Sequence, residues 1–254
     1  MSLAACASDA ELARVIAWWR ANARPLPWRD SRDVYAVWVS EVMSVQTSVT
    51  RCGEVWRRWM VRWPTVEDLA AASLSDVLAL WQGLGYPRRA RDLHRAAQIV
   101  AVSGWPADLT ELPGVGAYVD AAVRCFAREE PVLPLDINVR RVLHRRFSSG
   151  VDISADPWTA GQALMEFGQR VCSARPRCGE CPVQRGCSGP REGEPRGRRQ
   201  APYAGSLRQR RGRLLARVLD QGSAVVTEAD AAAAAGLASD GLAVLTDGRL
   251  YPPG

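Results

Sequence analysis

The residues best placed to do chemistry lie in the middle of the chain. Leu112-Pro113-Gly114-Val115-Gly116 is a glycine-rich turn that opens an Ala- and Val-rich helix, and Asp136 follows alone in an apolar stretch. A helix that starts at such a turn leaves backbone N–H groups without intrahelical partners at its positive end, which favours phosphate. A carboxylate among aliphatic side chains can face a positive charge that forms during a reaction. The segment therefore predicts phosphate binding beside a charge-stabilising acid.

A second acid, Glu41, lies in the otherwise apolar helical segment Val37–Met43. An apolar environment raises the pKa of a carboxyl group, so that it can donate a proton near neutral pH. Each acid also has a purely structural interpretation. Glu41 fits a surface salt bridge, and Asp136 fits an N-cap of the helix that begins near residue 138.

Four cysteines form a third group, Cys172, Cys178, Cys181 and Cys187, with the spacing C-x5-C-x2-C-x5-C. Such density in a protein of the reducing cytosol indicates a metal site and not a disulfide framework. Four thiolates bind zinc, and they also bind an iron–sulfur cluster. The spacing alone leaves both open.

The elements that must position these groups are helical. Residues 8–30 open with a helix of period near 3.6 that ends at Pro25-Leu26-Pro27. Apolar residues recur with the same period over 35–62, 66–82, 87–103, 116–128, 138–146 and 157–171, and no segment alternates with period two before residue 220. We expect an all-α domain over 1–190 that includes the cysteine loop at 172–187. A linker over 191–205 and a small winged-helix-like module over 206–254 follow, with a hairpin turn at Asp247-Gly248.

Composition limits the function. The 254 residues carry a net charge of +6, which favours a polyanionic partner, and no apolar run is long enough to span a membrane. We expect a cytoplasmic, nucleoid-associated protein that acts as a monomer. All the cationic side chains are Arg, because the sequence contains no Lys. No side-chain amine can then form a Schiff base, so a base-excising activity would be monofunctional.

The turn and Asp136 resemble the helix-hairpin-helix DNA glycosylases, and further motifs resemble the adenine DNA glycosylase (MutY) family within them. The motifs outside the hairpin are Leu26-Pro27-Trp28-Arg29, Val37-Trp38-Val39-Ser40-Glu41-Val42-Met43, Gly83-Leu84-Gly85-Tyr86 and Arg89-Ala90-Arg91-Asp92-Leu93-His94. The resemblance covers about residues 12–190. It implies a two-lobed helix-hairpin-helix fold and a [4Fe–4S] cluster on the four cysteines, although the first gap is one residue shorter than the family pattern.

The resemblance also implies an activity, the excision of adenine mispaired with 8-oxoguanine or guanine in double-stranded DNA. Glu41 would protonate the base and Asp136 would stabilise the sugar cation, with Tyr118 and Asn138 beside it. The implied base pocket consists of Arg24, Trp28 and Glu166. The implied DNA contacts are Gln46, Thr47, Leu84, Tyr86, Gly114, Val115 and Gly116.

The chain departs from the family pattern at Ser44, Val45, Val119, Asp120 and Ile137. The segment after the cysteines is also too short for the Nudix-like domain with which typical members recognise 8-oxoguanine. Two alternatives therefore stay open. One is a monofunctional glycosylase for another base, such as thymine in a T:G mismatch or a specialised or alkylated lesion, and the other is a catalytically silent protein that binds damaged DNA.

Overall fold

The structure is a computed structural model that describes residues 3–148, 150–190, 193–194 and 201–254. Most of the linker predicted at 191–205 lies outside these residues. The described residues are mainly helical, and the strands among them follow residue 223. The predicted all-α fold class is therefore confirmed. No helix among the described residues is long and apolar enough to cross a membrane.

The helices are α1 (Leu3–Asn22), α2 (Val34–Ser44), α3 (Val49–Arg62), α4 (Val66–Ala71), α5 (Leu74–Trp81), α6 (Arg88–Ser103), α7 (Ala117–Phe126), α8 (Ile137–Arg145), α9 (Pro157–Arg170), α10 (Leu207–Gln221) and α11 (Ala231–Ser239). The strands are β1 (Ala224–Val225), β2 (Val244–Thr246) and β3 (Arg249–Tyr251). The chain forms two compact units, one of residues 1–38 and 117–199 and the other of residues 39–116 and 200–254. The domain boundaries drawn from the sequence stay a prediction.

Two of the predicted helices are each divided in two. The segment 35–62 is interrupted at Val45–Ser48, where Gln46 takes a left-handed conformation with φ of 56°. The segment 66–82 is interrupted at Ala72 and Ser73, which are both extended. Hydrophobic periodicity does not register such short breaks, because apolar residues recur in the helices on both sides of each break. The side-chain oxygen of Ser73 accepts a hydrogen bond from the Asp76 amide and so starts the second helix.

In the first unit, α9 is the central helix and packs against α1, α7 and α8. Aromatic edges join α1 to α9, with ring centroids 5.8 Å apart for Trp19 and Trp158 and 5.6 Å apart for Trp18 and Phe167. A Cβ atom at Gly168 would lie 2.8 Å from the Asn138 carbonyl oxygen. Gly168 is thus the residue that lets α9 approach the start of α8 closely.

In the second unit, α6 packs against α4 and α5, and a tryptophan cluster joins α3 to α5. The ring of Trp59 contacts those of Trp63 and Trp81 edge to face, at centroid distances of 4.8 and 5.8 Å. Such pairs add to the apolar area that the rings bury. The cluster fixes the end of α5, and hence the loop over residues 82–87 that precedes α6.

The C-terminal segment also belongs to this second unit. Its elements follow the order α10, β1, a short 3-10 turn at Glu228–Asp230, α11, β2 and β3, and the sheet order is β1-β3-β2. This is the order of a winged helix in which one helix is reduced to a single turn. β2 and β3 pair antiparallel through the predicted turn at Asp247-Gly248, where both residues have positive φ.

Asp240, at the end of α11, joins the C-terminal segment to α6. Its carboxylate pairs with Arg211 of α10 and lies 3.8 Å from the Arg88 guanidinium, and its carbonyl accepts a hydrogen bond from Arg91. Near the chain end, the Ser75 hydroxyl of α5 donates to the Pro253 carbonyl. The second unit therefore depends on contacts between residues more than 100 positions apart.

We predict that Asp240→Ala lowers the free energy of unfolding by about 1–2 kcal/mol, because it removes a charged acceptor shared by two arginines. Urea unfolding followed by circular dichroism measures this change. Asp220→Ala, an exposed change on α10, is the matched control and should leave the midpoint unchanged. Equal midpoints for the two variants would show that Asp240 does not hold the segment in place.

Candidate active site

Asp136 is the N-cap of α8, so the interpretation of this residue as a helix cap is correct for the local structure. One carboxylate oxygen accepts hydrogen bonds from the Asn138 amide at 2.8 Å and the Val139 amide at 2.6 Å. The other oxygen accepts from the Asn138 side-chain amide at 2.6 Å. These three donors fix the orientation of the carboxylate at the positive end of a helix. The cap is compatible with a chemical role, because Asp136 is half-buried and not enclosed.

Asn138 connects Asp136 to the cysteine loop through one further residue. Its side-chain oxygen accepts a hydrogen bond from Arg141 Nη1 at 3.1 Å, and the same nitrogen lies 3.3 Å from the Cys172 carbonyl oxygen and 3.4 Å from that of Gly168. The side-chain nitrogen Nδ2 of Asn138 donates to Asp136, and the side-chain oxygen Oδ1 accepts from Arg141. The side-chain amide can therefore take only one orientation. The predicted neighbours Asp136 and Asn138 are therefore brought together.

Glu41 lies on α2 and belongs to the second unit. Its neighbours on the helix are buried aliphatic and aromatic side chains, and Glu41 is 6% exposed, which excludes a solvent-exposed surface salt bridge. Ser44, where the family pattern has Leu, bonds to the buried Cys52 thiol. The Cys52 thiol also donates to the Met43 carbonyl at 3.3 Å. The serine is thus accommodated by a neighbouring polar group on α3.

A buried carboxylate, Glu166, is the centre of the predicted base pocket. It accepts hydrogen bonds from the Arg24 side chain at 2.8 Å, from the Arg24 amide at 3.0 Å and from Trp19 at 3.2 Å. Burial raises its pKa, but the Arg24 donors and the Arg29 charge outweigh burial, so the net direction is down. Arg24 and Glu166 are brought together as predicted. Trp28 is buried in the same loop as Arg24.

The sequence analysis did not predict two further residues of this network, Arg29 and Gln162. Arg29 Nη2 donates to Glu166 at 2.6 Å, and Arg29 Nη1 donates to the Gln162 side chain at 2.7 Å. Burial lowers the Arg29 pKa, opposed by Glu166. Gln162 could have been predicted from its position one helical turn before Glu166, which places both on the same face of the helix. Arg29 could have been predicted from its place in the motif Leu26-Pro27-Trp28-Arg29.

The glycine-rich turn has the geometry that its sequence requires. Gly114 has φ of 75°, and a Cβ atom there would lie 2.7 Å from the Asp92 Cβ, so only glycine fits. The Val115 amide donates to the Leu112 carbonyl at 3.2 Å. Val115 is buried, whereas Gly114 and Gly116 are exposed. The next residue begins α7, whose first turn includes the half-buried Tyr118.

The other predicted DNA contacts lie on two loops of the second unit. Gln46 and Tyr86 are both exposed and both have positive φ. Thr47 is half-buried, and its hydroxyl donates to the Leu84 carbonyl at 3.1 Å. The Leu84 side chain is buried in the free protein, at only 3% exposed. Leu84 contributes to the loop through its carbonyl, which accepts the hydrogen bond from Thr47.

The four cysteines surround one cavity of about 240 Å³, which Arg145 and Gln184 also line. Among the described residues, no three His, Cys, Asp or Glu side chains converge closely enough to hold a single metal ion. Burial raises the pKa of the Cys172 and Cys181 thiols, and Arg145 opposes this shift at Cys172.

Arg145 of α8 closes one side of this cavity. Its Nη1 lies 3.6 Å from the Cys172 sulfur and 2.8 Å from the Ser173 carbonyl oxygen, and its other nitrogens pair with Glu194 at 2.6 and 2.7 Å. The Gly189 amide donates to the Cys187 sulfur at 3.4 Å. Hydrogen bonds to sulfur of this kind stabilise thiolate ligands.

The remaining departures from the family pattern have local explanations in part. Asp120 is buried on α7, and its carboxylate lies 3.6 Å from Arg124, one helical turn away. Val119 is buried, and Ile137 is the first residue of α8 after its cap. Nothing in the structure explains Val45, which is exposed on its loop.

Comparison with known proteins places this geometry in a family. Residues 39–159 match the model of the HhH-GPD superfamily base excision DNA repair proteins. An adenine DNA glycosylase of Mycolicibacterium smegmatis is 40% identical over 228 residues, covering 79% of this chain and 78% of that protein. The human adenine DNA glycosylase is 39% identical, covering 68% of this chain and 38% of its own.

Solved structures agree on the fold. A thermostable thymine-DNA glycosylase matches with a TM-score of 0.62 and 24% identity, over 71% of this chain and 95% of its own. A trapped covalent complex of endonuclease III with DNA matches with a TM-score of 0.60 and 21% identity, over 74% of this chain and 97% of its own. The chain therefore belongs to the adenine DNA glycosylase family of the helix-hairpin-helix superfamily, and it is a DNA-binding base excision repair glycosylase.

Proposed function

We propose that this protein is a monofunctional glycosylase that removes adenine mispaired with 8-oxoguanine or guanine from double-stranded DNA. The observation that carries the proposal is Asp136, a carboxylate oriented by three donors at a helix start, in a chain 40% identical to curated adenine DNA glycosylases. Glu41, buried on an apolar helix, supplies the second acid that this chemistry needs. We further propose that the protein acts as a monomer in the cytoplasm.

In the proposed reaction, Glu41 donates a proton to a ring nitrogen of the extruded adenine. The bond between the base and C1′ of the sugar then breaks, and adenine leaves with the bonding electron pair. Protonation is required because neutral adenine is a poor leaving group, whereas the protonated base leaves without building negative charge. The Glu41 carboxylate that remains can accept the proton of the water that later adds to C1′.

Asp136 meets the positive charge that develops on the sugar. Its carboxylate is already fixed by the α8 amides and Asn138, so little reorganisation is needed as the charge forms. The same carboxylate can hold the cation as an ion pair or bond to C1′ until water replaces it, as in glycoside hydrolysis. Water completes the displacement in either case, because the chain contains no Lys to form a Schiff base.

The network around Glu166 is proposed as the wall of the base pocket. Three arginines, Arg24, Arg29 and Arg170, lie within 3.3 Å of its carboxylate. Together with Gln162, they offer fixed donors and acceptors of the kind that recognise the edge of a flipped base. Phosphates flanking the lesion would bind the amides of Gly114 and Gly116, the two exposed residues of the glycine-rich turn.

A [4Fe–4S] cluster is proposed on Cys172, Cys178, Cys181 and Cys187. The support is the cavity that all four side chains line and the Arg145 and Gly189 donors directed at two of the sulfurs. When bound, such a cluster crosslinks the loop that follows α9. Arg141 and Arg145 would then connect the loop to α8, which begins at Asp136.

We predict that Glu41→Gln and Asp136→Asn each lower the single-turnover rate of adenine release by about 100-fold or more, since each removes an acid–base or electrostatic contribution. The assay uses duplexes that contain A:8-oxoguanine, A:G, T:G and uracil pairs, with strand breakage measured before and after alkali. Glu67→Gln and Asp220→Asn, at exposed positions, are the matched controls.

The wild-type protein should break strands at the A-containing pairs only after alkali treatment. Release of thymine or uracil with no release of adenine would support the alternative glycosylase instead. Release of no base from any duplex would favour the silent DNA-binding protein. Breakage without alkali, through an adduct that borohydride traps, would contradict the monofunctional mechanism.

We predict that the purified protein contains about four iron atoms and absorbs near 400 nm, as thiolate-bound clusters do. Cys178→Ser should lower both the iron content and the thermal stability, because one ligand is lost. Cys125→Ser is the matched control, since Cys125 lies outside the cavity and donates to the Pro157 carbonyl, which a serine hydroxyl can also do. Bound zinc without iron would exclude the cluster.

A further inference from the structure

Two exposed residues of the second unit, Gln46 and Tyr86, hold an unusual backbone conformation. Their φ values are 56° and 49°. A left-handed conformation is strained for a residue with a side chain, and it persists only where the surroundings enforce it. Both residues are the ones that the family resemblance assigns to insertion into the duplex.

One side chain contacts both loops. On the loop after α2, Arg89 Nη1 donates to the Val42 and Val45 carbonyls at 2.7 Å each, and Arg89 Nη2 lies 3.3 Å from the Thr47 hydroxyl. The Val42 carbonyl belongs to the last turn of α2, where the final carbonyls lack intrahelical partners. Arg89 therefore ends the helix and holds the loop that follows it, on both sides of Gln46.

The same guanidinium holds the loop before α6. Nη2 donates to the Leu84 and Gly85 carbonyls at 3.3 Å each, and the guanidinium carbon lies 5.3 Å from the centre of the Tyr86 ring. Trp81 secures the same loop, because its indole nitrogen donates to the Gly85 carbonyl at 2.9 Å. A single planar group therefore contacts the Val45 carbonyl before Gln46, the Thr47 hydroxyl after it and the two carbonyls that precede Tyr86.

We propose that Arg89 is a positioning residue that locks the two loops together, so that Gln46 and Tyr86 are already set to enter the duplex when the protein meets DNA. The inference rests on the proposed base-extruding function and adds the residue on which extrusion depends. Taking a base out of the stack costs free energy. A wedge ordered in advance does not have to lose further conformational entropy at that moment.

Arginine is suited to this position for two reasons. Its five N–H donors lie in one plane and can reach carbonyls on opposite sides, whereas the three donors of a lysine radiate from one point. Burial lowers the pKa of Arg89, but a guanidinium stays protonated at neutral pH, so Arg89 keeps a positive charge beside the two loops, which suits DNA.

The test uses Arg89→Lys and Arg89→Met in the full-length protein. Arg88→Met is the matched control for charge, because Arg88 is the exposed neighbour and only approaches Asp240 at 3.8 Å. Arg51→Met is the control for the loop, since Arg51 is exposed and donates to the Gly83 carbonyl of the same loop at 2.9 Å. Circular dichroism at the assay temperature establishes which variants are folded, and Arg89→Lys keeps the test valid if Arg89→Met is not.

The first readout is the fluorescence of 2-aminopurine placed opposite 8-oxoguanine, which rises when the base leaves the stack and does not require excision. With saturating protein, we expect the unstacked population to fall roughly tenfold in both Arg89 variants and to stay near the wild-type value in the controls. A wild-type-like rise in Arg89→Lys, or no rise with the wild-type protein, would overturn the proposal.

The second readout separates positioning from a general loss of structure. Single-turnover adenine release is compared between a mispaired duplex and an adenine already unstacked in a small internal loop. Arg89→Lys should slow the first roughly tenfold and the second by less than about twofold. Equal slowing on both substrates would assign Arg89 a merely structural role. Failure of the wild-type protein to release adenine would refute the proposed function, while the fluorescence experiment would still decide the role of Arg89.

Discussion

The hydrogen bonds that fix Asp136 at the start of α8 are the interaction on which the rest of the site depends. A carboxylate that must face a forming cation has to be oriented by donors that leave it charged, and backbone amides at a helix start do this with little side-chain mobility. The same helix bears Asn138, whose side chain donates to Asp136. It also bears Arg141 and Arg145, which donate to the carbonyls of Cys172 and Ser173. The position of the reactive group and that of the cysteine loop are therefore set by one element.

Arginine performs much of the structural work in this lysine-free chain. Arg29, Arg89, Arg141 and Arg145 are buried or half-buried, and each joins segments distant in sequence or on different loops. Two of them pair with a carboxylate, and the other two are held chiefly by backbone carbonyls and amide oxygens. Burying such groups is costly unless most donors are satisfied, and the planar guanidinium meets this condition with several acceptors at once.

Sequence reasoning predicted the helical class, the turn at Gly114 and the N-cap at Asp136, because each depends on a few neighbouring residues. It wrongly joined α2 to α3 and α4 to α5, since hydrophobic periodicity does not register a single left-handed residue such as Gln46. It also missed Gln162 and the role of Arg89. Their partners lie on other elements, so the contacts that define them exist only in the folded chain.

The measurement that tests the central claim most directly compares two abasic analogues in otherwise identical duplexes, a protonated pyrrolidine that resembles the sugar cation and a neutral tetrahydrofuran. If Asp136 stabilises that charge, the wild-type protein should bind the pyrrolidine duplex about tenfold or more tightly than the tetrahydrofuran duplex, and Asp136→Asn should lose this preference. Equal affinity of the wild-type protein for the two duplexes, or an undiminished preference in Asp136→Asn, would contradict the assignment of Asp136 as the group that meets the charge.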